Sequence, residues 1–107
     1  MKKYKLLVLS DCAPGTHDEF NRWYNELHIP DVLQVPGFTG AWRGPISEVT
    51  AEGSEHRFCA VYDFESDDVG ATLGELAGRA ADGRMHMSDT LDLAGVSMRA
   101  FEVQSQQ

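Results

Sequence analysis

The stretch Trp23-Tyr24-Asn25-Glu26-Leu27-His28-Ile29-Pro30-Asp31-Val32-Leu33-Gln34-Val35-Pro36-Gly37-Phe38 runs from a helical pattern through two prolines into an extended one. Phe20, Trp23, Tyr24 and Leu27, then Asp31 and Val32, recur at helical spacing, giving one apolar, aromatic face with His28 at its downstream edge. Pro30 has no N–H to donate and biases Ile29 toward extended backbone, so the helix is predicted to end or kink at about His28. A histidine beside a helix C-terminus meets unpaired carbonyls that favour its protonated form. Asp31, three residues on, can either cap a short turn through Val32 and Leu33 or orient the imidazole. In the plainer of these readings Asp31 is an N-cap and His28 a half-buried helix-end residue.

Upstream, Lys3 to Ser10 alternates and is rich in Leu and Val, as a strand with one face against helices. Asp11-Cys12-Ala13-Pro14-Gly15 closes it in a turn. Thr16 followed by Glu19 is a capping-box pair that starts the helix at about His17. Downstream of Val35-Pro36-Gly37, Phe38, Gly40 and Trp42 alternate with Thr39, Ala41 and Arg43 in a second strand reaching about Ser47, with Pro45 at an edge or bulge. Thr50 to Ser54 reads as a hairpin loop, and His56, Phe58, Ala60, Tyr62 and Phe64 share one face of a third strand. Ser66-Asp67-Asp68 opens a second helix with Val69, Leu73, Leu76 and Ala77 inward and Gly78 near its end. Ala80 to Gly83 reads as loop, Met85, Met87 and Leu91 as another helical turn, and Val96, Met98 and Ala100 as one face of a fourth strand. The tail Gln104-Ser105-Gln106-Gln107 is polar.

The 107 residues suit one domain spanning 1–107. Nine Lys and Arg against 17 Asp and Glu, a formal charge of −8, oppose phosphate backbones and anionic membranes, so neither nucleic acid nor a membrane is an expected partner. With no bilayer-length apolar run and no small-residue cleavage site behind the opening lysines, the expected location is cytoplasmic. Cys12 and Cys59 are too few for a disulfide framework or a four-ligand zinc site, and the four histidines show no metal-ligand spacing, so no cofactor or metal is expected.

The order strand, helix, strand, hairpin, strand, helix, strand predicts an α+β, ferredoxin-like βαββαβ fold with a four-stranded antiparallel sheet and two main helices on one face. Two helices cover only one side. The other side carries enough apolar residues on the third and fourth strands to predict a two-fold homodimer packed sheet to sheet, a dimeric α+β barrel.

Trp23-Tyr24-Asn25-Glu26-x-His28-Ile29-Pro30-Asp31 followed by Val35-Pro36-Gly37-Phe38 resembles the signature of dimeric α+β barrel proteins related to the EthD group, and the element order matches over nearly the whole chain. That superfamily includes cofactor-free monooxygenases, polyketide cyclases, muconolactone-type isomerases, haem-degrading enzymes and proteins with no assigned reaction. The resemblance implies a small-molecule pocket between the helices and the sheet, with His28 as a pocket residue.

Such a pocket would draw its walls from Trp23, Tyr24, Phe38, Trp42, Phe58 and Tyr62, with Met85 and Met87, and would suit a flat aromatic or polyketide-like substrate. In the leading functional reading, an isomerase, cyclase or lyase moves a proton next to a carbonyl. His28 is its acid/base, Asp31 orients His28, and Tyr24, Tyr62 or Asn25 holds the oxygen that gains charge. A cofactor-free monooxygenase using Trp42 or Trp23 is the alternative enzyme. Haem degradation with His86 or His28 on iron is a third, although Met85-His86-Met87 reads better as a loop or helix start packed by its methionines, and His86 is otherwise a candidate substrate-binding residue. The reading from another class is a non-catalytic binding protein whose pocket holds a metabolite against His28.

Overall fold

The computed structural model describes residues 1–50 and 56–107, and most of the expected Thr50 to Ser54 hairpin loop lies outside them. Four strands, β1 (Lys2–Ser10), β2 (Phe38–Pro45), β3 (Phe58–Ser66) and β4 (Ser97–Glu102), form one antiparallel sheet in the order β2-β3-β1-β4. Helices α1 (His17–Trp23), α2 (Ile29–Leu33) and α3 (Val69–Ala81) complete the ferredoxin-like α+β fold. On β3 every second residue from Phe58 to Ser66 is buried, as the alternation predicts, and Leu6, Val8 and Ser10 of β1 share that face. Pro45 ends β2, an edge strand, where no ladder N–H is required of it.

Three local features differ from expectation. The helix does not stop before Pro30. Tyr24–His28 widens into a π-turn in which the Ile29 N–H reaches the Tyr24 carbonyl, and Pro30 sits in the first turn of α2, where a missing N–H costs nothing. The wider turn leaves Leu27 facing outward and keeps Val32 buried. Thr16 forms no capping hydrogen bond; its hydroxyl donates to the Ala13 carbonyl, while α1 still begins at His17. Finally, α3 runs on to Ala81, started by the Asp68 carboxylate accepting the Ala71 N–H at 3.0 Å, and no helix forms over 85–91. That segment is a strap whose backbone groups bond elsewhere: Ala13 N–H to the Thr90 carbonyl and Asp92 N–H to the Asp11 carbonyl, with a bridge between Cys12 and Leu91.

β2 contains an irregularity between Phe38 and Gly40, so Phe38 pairs with Phe64 but Gly40 with Asp63. One extra residue exchanges the two faces of everything beyond it. Arg43, opposite buried Ala60, therefore points under the helices, whereas Trp42, opposite Val61, points to the uncovered side and is 59% exposed. The preceding turn depends on Gly37: its φ is +99°, and a Cβ there would lie 2.4 Å from the Glu65 carbonyl oxygen.

Candidate active site

A cavity of about 210 Å³ lies between the sheet and the helices. Leu6 and Val8 of β1 floor it, α3 walls it with Leu73 and Leu76, and the strap closes it with Met85 and Met87. Against this apolar lining stand three polar rings, Tyr24 and His28 from the π-turn and Tyr62 from β3. The π-turn is what puts Tyr24 and His28 together on this wall, their ring centroids 4.9 Å apart and edge to face.

His28 stacks on Trp23 at 4.7 Å. Burial disfavours its charged form and lowers its pKa to about 4; the Asp31 carboxylate opposes that and Arg43 adds to it. The charge at a helix end expected from the sequence is not found, because the backbone stays helical past His28 and the surroundings are apolar. The imidazole is therefore neutral at pH 7, and its Nδ1 is buried without a hydrogen-bond partner. Tyr62, 1% exposed, has a buried hydroxyl that makes no hydrogen bond of good geometry, although it lies near enough to the Tyr24 hydroxyl for each phenol to shift the other's pKa. Burial pushes the Tyr62 and Tyr24 phenols upward, so both remain O–H donors; for Tyr24 the Tyr62 hydroxyl and the Arg43 charge partly offset the rise.

Asp31 does not orient His28. Its Oδ2 accepts the His86 backbone N–H at 2.8 Å and pairs with the His86 ring Nδ1 at 2.9 Å, while the Trp23 indole N–H donates to the His86 carbonyl at 2.8 Å. Residue 86 is thereby gripped through its N–H, its carbonyl and its ring. The flanking Met85 and Met87 are held against the cavity in consequence. These hydrogen bonds, with the burial of its own carboxylate opposing them, keep Asp31 below its ordinary pKa. Neither a helix cap nor a partner for the imidazole, Asp31 is the anchor of the strap.

The other expected wall residues divide. Met85 and Met87 line the cavity; Trp23, Phe38 and Phe58 are core side chains behind it. Trp42 is on the opposite side of the sheet, displaced there by the β2 irregularity, and the His86 ring is turned to Asp31 with its side chain 66% exposed. Asn25 leaves the cavity for Arg43. Arg43 joins the site from beneath the helices: its guanidinium lies 4.3 Å from the Tyr24 ring centre and 5.2 Å from those of Phe20 and Phe58. Strict alternation put it on the outer face, and nothing in the sequence marks the extra residue that turns it inward.

Among the described residues no three His, Cys, Asp or Glu side chains gather as a metal site. At about 210 Å³ the cavity is below the roughly 300–1,000 Å³ of pockets for drug-sized ligands. No described helix is long and apolar enough to cross a membrane.

No family model and no curated protein matches the chain by sequence. Solved structures match it over nearly its whole length. A heme-degrader, MhuD, from Mycobacterium tuberculosis, solved with two hemes in its active site, is 21% identical with a TM-score of 0.64, covering 97% of this chain and 98% of that one. A dimeric ferredoxin-like protein of unknown function from Jannaschia sp. CCS1 is 15% identical, TM-score 0.64, covering 94% and 99%. An ethyl tert-butyl ether D (EthD) family protein from Bacillus halodurans C-125 is 14% identical, TM-score 0.53, covering 94% and 97%. At these identities the likeness is one of fold, and it is the fold that the Trp23 to Phe38 pattern and the element order predict.

Proposed function

We propose, on the premise of this ferredoxin-like fold shared with an EthD family protein, that the chain is an enzyme transferring a proton next to a carbonyl of a small, apolar, ring-bearing substrate. The observation that carries the reading is a pair of side chains on one wall of a mostly apolar cavity, His28 and Tyr62, each with a buried polar atom, His28 Nδ1 and the Tyr62 hydroxyl, that makes no hydrogen bond of good geometry. In a closed interior such groups normally find partners, and a substrate that gives a proton to one and an oxygen to the other supplies both. His28 removes the proton. Tyr62, with Tyr24, donates to the oxygen on which charge develops. An imidazole with a pKa of about 4 is a weak base. The reading therefore favours acidic substrate protons, such as those between two carbonyls.

Deuterium uptake by small aromatic lactones and 1,3-dicarbonyls in D₂O tests this. His28→Gln is expected to slow exchange by about 10² or more, the usual contribution of a general base; normal exchange in a folded variant refutes the role. Because only the neutral ring accepts a proton, the rate should hold from pH 7 down to about pH 5 and decline as pH falls through about 4.

The weak basicity of His28 also supports a second reading, a non-catalytic protein that holds a metabolite by a hydrogen bond to the ring. Saturable binding that survives His28→Gln, with no exchange and no product by mass spectrometry, favours it. A cofactor-free oxygenase would begin with the same deprotonation, yet neither tryptophan expected to serve it lines the cavity.

The reading includes a homodimer. The uncovered face carries Leu7, Leu9, Val61, Trp42 and Phe101 around the Lys5–Asp63 ion pair, an apolar patch with a charged centre that a second copy can cover by two-fold packing. The Jannaschia protein of the same fold is dimeric. A monomer mass by light scattering at micromolar concentration refutes this part.

A further inference from the structure

In a chain with 17 acidic residues, no Asp, Glu, Lys or Arg among the described residues lines the cavity. The nearby carboxylate, that of Asp31, is committed to His86. What surrounds the polar end is of opposite character. Tyr24 and Tyr62, both fully buried, bring two neighbouring hydroxyl donors to the wall, and the Tyr62 hydroxyl makes no hydrogen bond of good geometry. Behind Tyr24 lies Arg43, held by the neutral amides of Asn21 at 2.7 Å and Asn25 at 3.4 Å, with its Nε buried and unpartnered. Among the described residues no carboxylate pairs with it, so its charge is uncancelled and acts on the phenol it covers.

We propose that Tyr24, Tyr62 and Arg43 form an oxyanion site that selects small phenols or enolisable 1,3-dicarbonyls and holds them as the conjugate base, with the released proton on His28. The inference rests on the proton-transfer reading of the same cavity and names its substrate class. The O–H bond of a phenol, or the C–H bond between two carbonyls, breaks; its electron pair stays with the substrate as oxyanion, and the proton forms the N–H bond of an imidazolium. The cavity then contains one negative and one positive group, so no net charge is moved into it from solution. The oxyanion accepts from the two phenols and supplies the counter-charge that His28 lacks in the empty cavity. Arg43 never touches the ligand. It is a positioning residue that strengthens Tyr24 as a donor from the far side of the ring.

The sign of one measurement decides the matter. An apolar cavity alone raises the pKa of a bound acid, whereas donors and a nearby cation lower it. 4-Nitrophenol, coloured only when ionised, is titrated with pH in the presence of saturating full-length protein. Its pKa on the protein is expected to fall by at least one unit below that in solution, a tenfold larger ratio of ionised to neutral probe at a given pH. Tyr62→Phe and Arg43→Gln, each checked for native circular dichroism, should return it toward or above the solution value, and Arg43→Lys should retain most of the effect. A bound-probe pKa at or above the solution value overturns the proposal, as does no saturable binding at millimolar probe or an effect untouched by Tyr62→Phe. The parent reading fails separately. A lowered probe pKa in a protein that catalyses no deuterium exchange leaves the oxyanion site standing and removes the catalytic role.

Discussion

Replacing His28 by Gln should remove a pH dependence of stability that the wild-type chain carries. The unfolded chain protonates this residue at about 6.5, while burial holds the native ring to about 4. Between those values the unfolded state binds a proton that the native state refuses, so the contribution is fully present above about pH 6.5 and is lost as pH falls toward 4. At about 1.4 kcal/mol for each pH unit, the loss is about 3 kcal/mol. That is a large part of the 5–15 kcal/mol typical of a whole domain. Urea unfolding of both proteins from pH 7.5 to 4 measures it. The other three histidines and all the carboxylates are common to both chains and largely cancel, so the difference in unfolding free energy should move by about 3 kcal/mol in favour of the variant as the solution is acidified. The His28→Gln change will have a cost of its own at pH 7.5, but only the slope matters. A difference constant to within about 1 kcal/mol would refute a buried, neutral His28, and with it the chemistry built on that ring.

Asp31→Ala should remove two hydrogen bonds to His86 and lower stability by about 2–3 kcal/mol, whereas Asp31→Asn, which keeps an acceptor for the backbone N–H, should cost about 1 kcal/mol; thermal melts of the pair separate the two contributions. The same Asp31→Ala change should loosen Met85 and Met87 and raise KM more than it lowers kcat, a split that an orienting partner of His28 would reverse. Gly37→Ala forces a side chain into left-handed backbone and against the Glu65 carbonyl, and should destabilise by about 3 kcal/mol or more, visible as a shifted urea midpoint. Tyr62→Phe should be neutral or stabilising by about 1 kcal/mol in the ligand-free protein, because it deletes a buried hydroxyl that makes no hydrogen bond of good geometry. A clear loss of stability there would mean that the hydroxyl is paired after all.

The architecture was readable in the chain because it depends on periodicity. Alternation over Phe58 to Phe64 marks the buried face of β3, and the helical spacing from Phe20 to Tyr24 marks the layer that covers it; the same alternation over Val96 to Ala100 marks a strand, but Met98 and Ala100 stay exposed. Those signals are local and each residue's environment follows from its neighbours. Tyr62 faces inward by the same alternation, whereas His28 as a pocket residue is implied by the resemblance to the EthD group. The composition of the site follows from neither. Two interruptions of period, the π-turn that carries the helix through Pro30 and the extra residue between Phe38 and Gly40, decide that Leu27 faces out, that Trp42 leaves the pocket and that Arg43 enters beneath the helices. Asp31 was within reach of His28 along the chain, but 55 residues of folding brought it a backbone N–H and a ring that together satisfy its carboxylate better. Periodicity tells which residues are buried; a one-residue slip or a long-range hydrogen bond tells which of them meet, and neither leaves a mark in the local sequence because its energy comes from partners far along the chain.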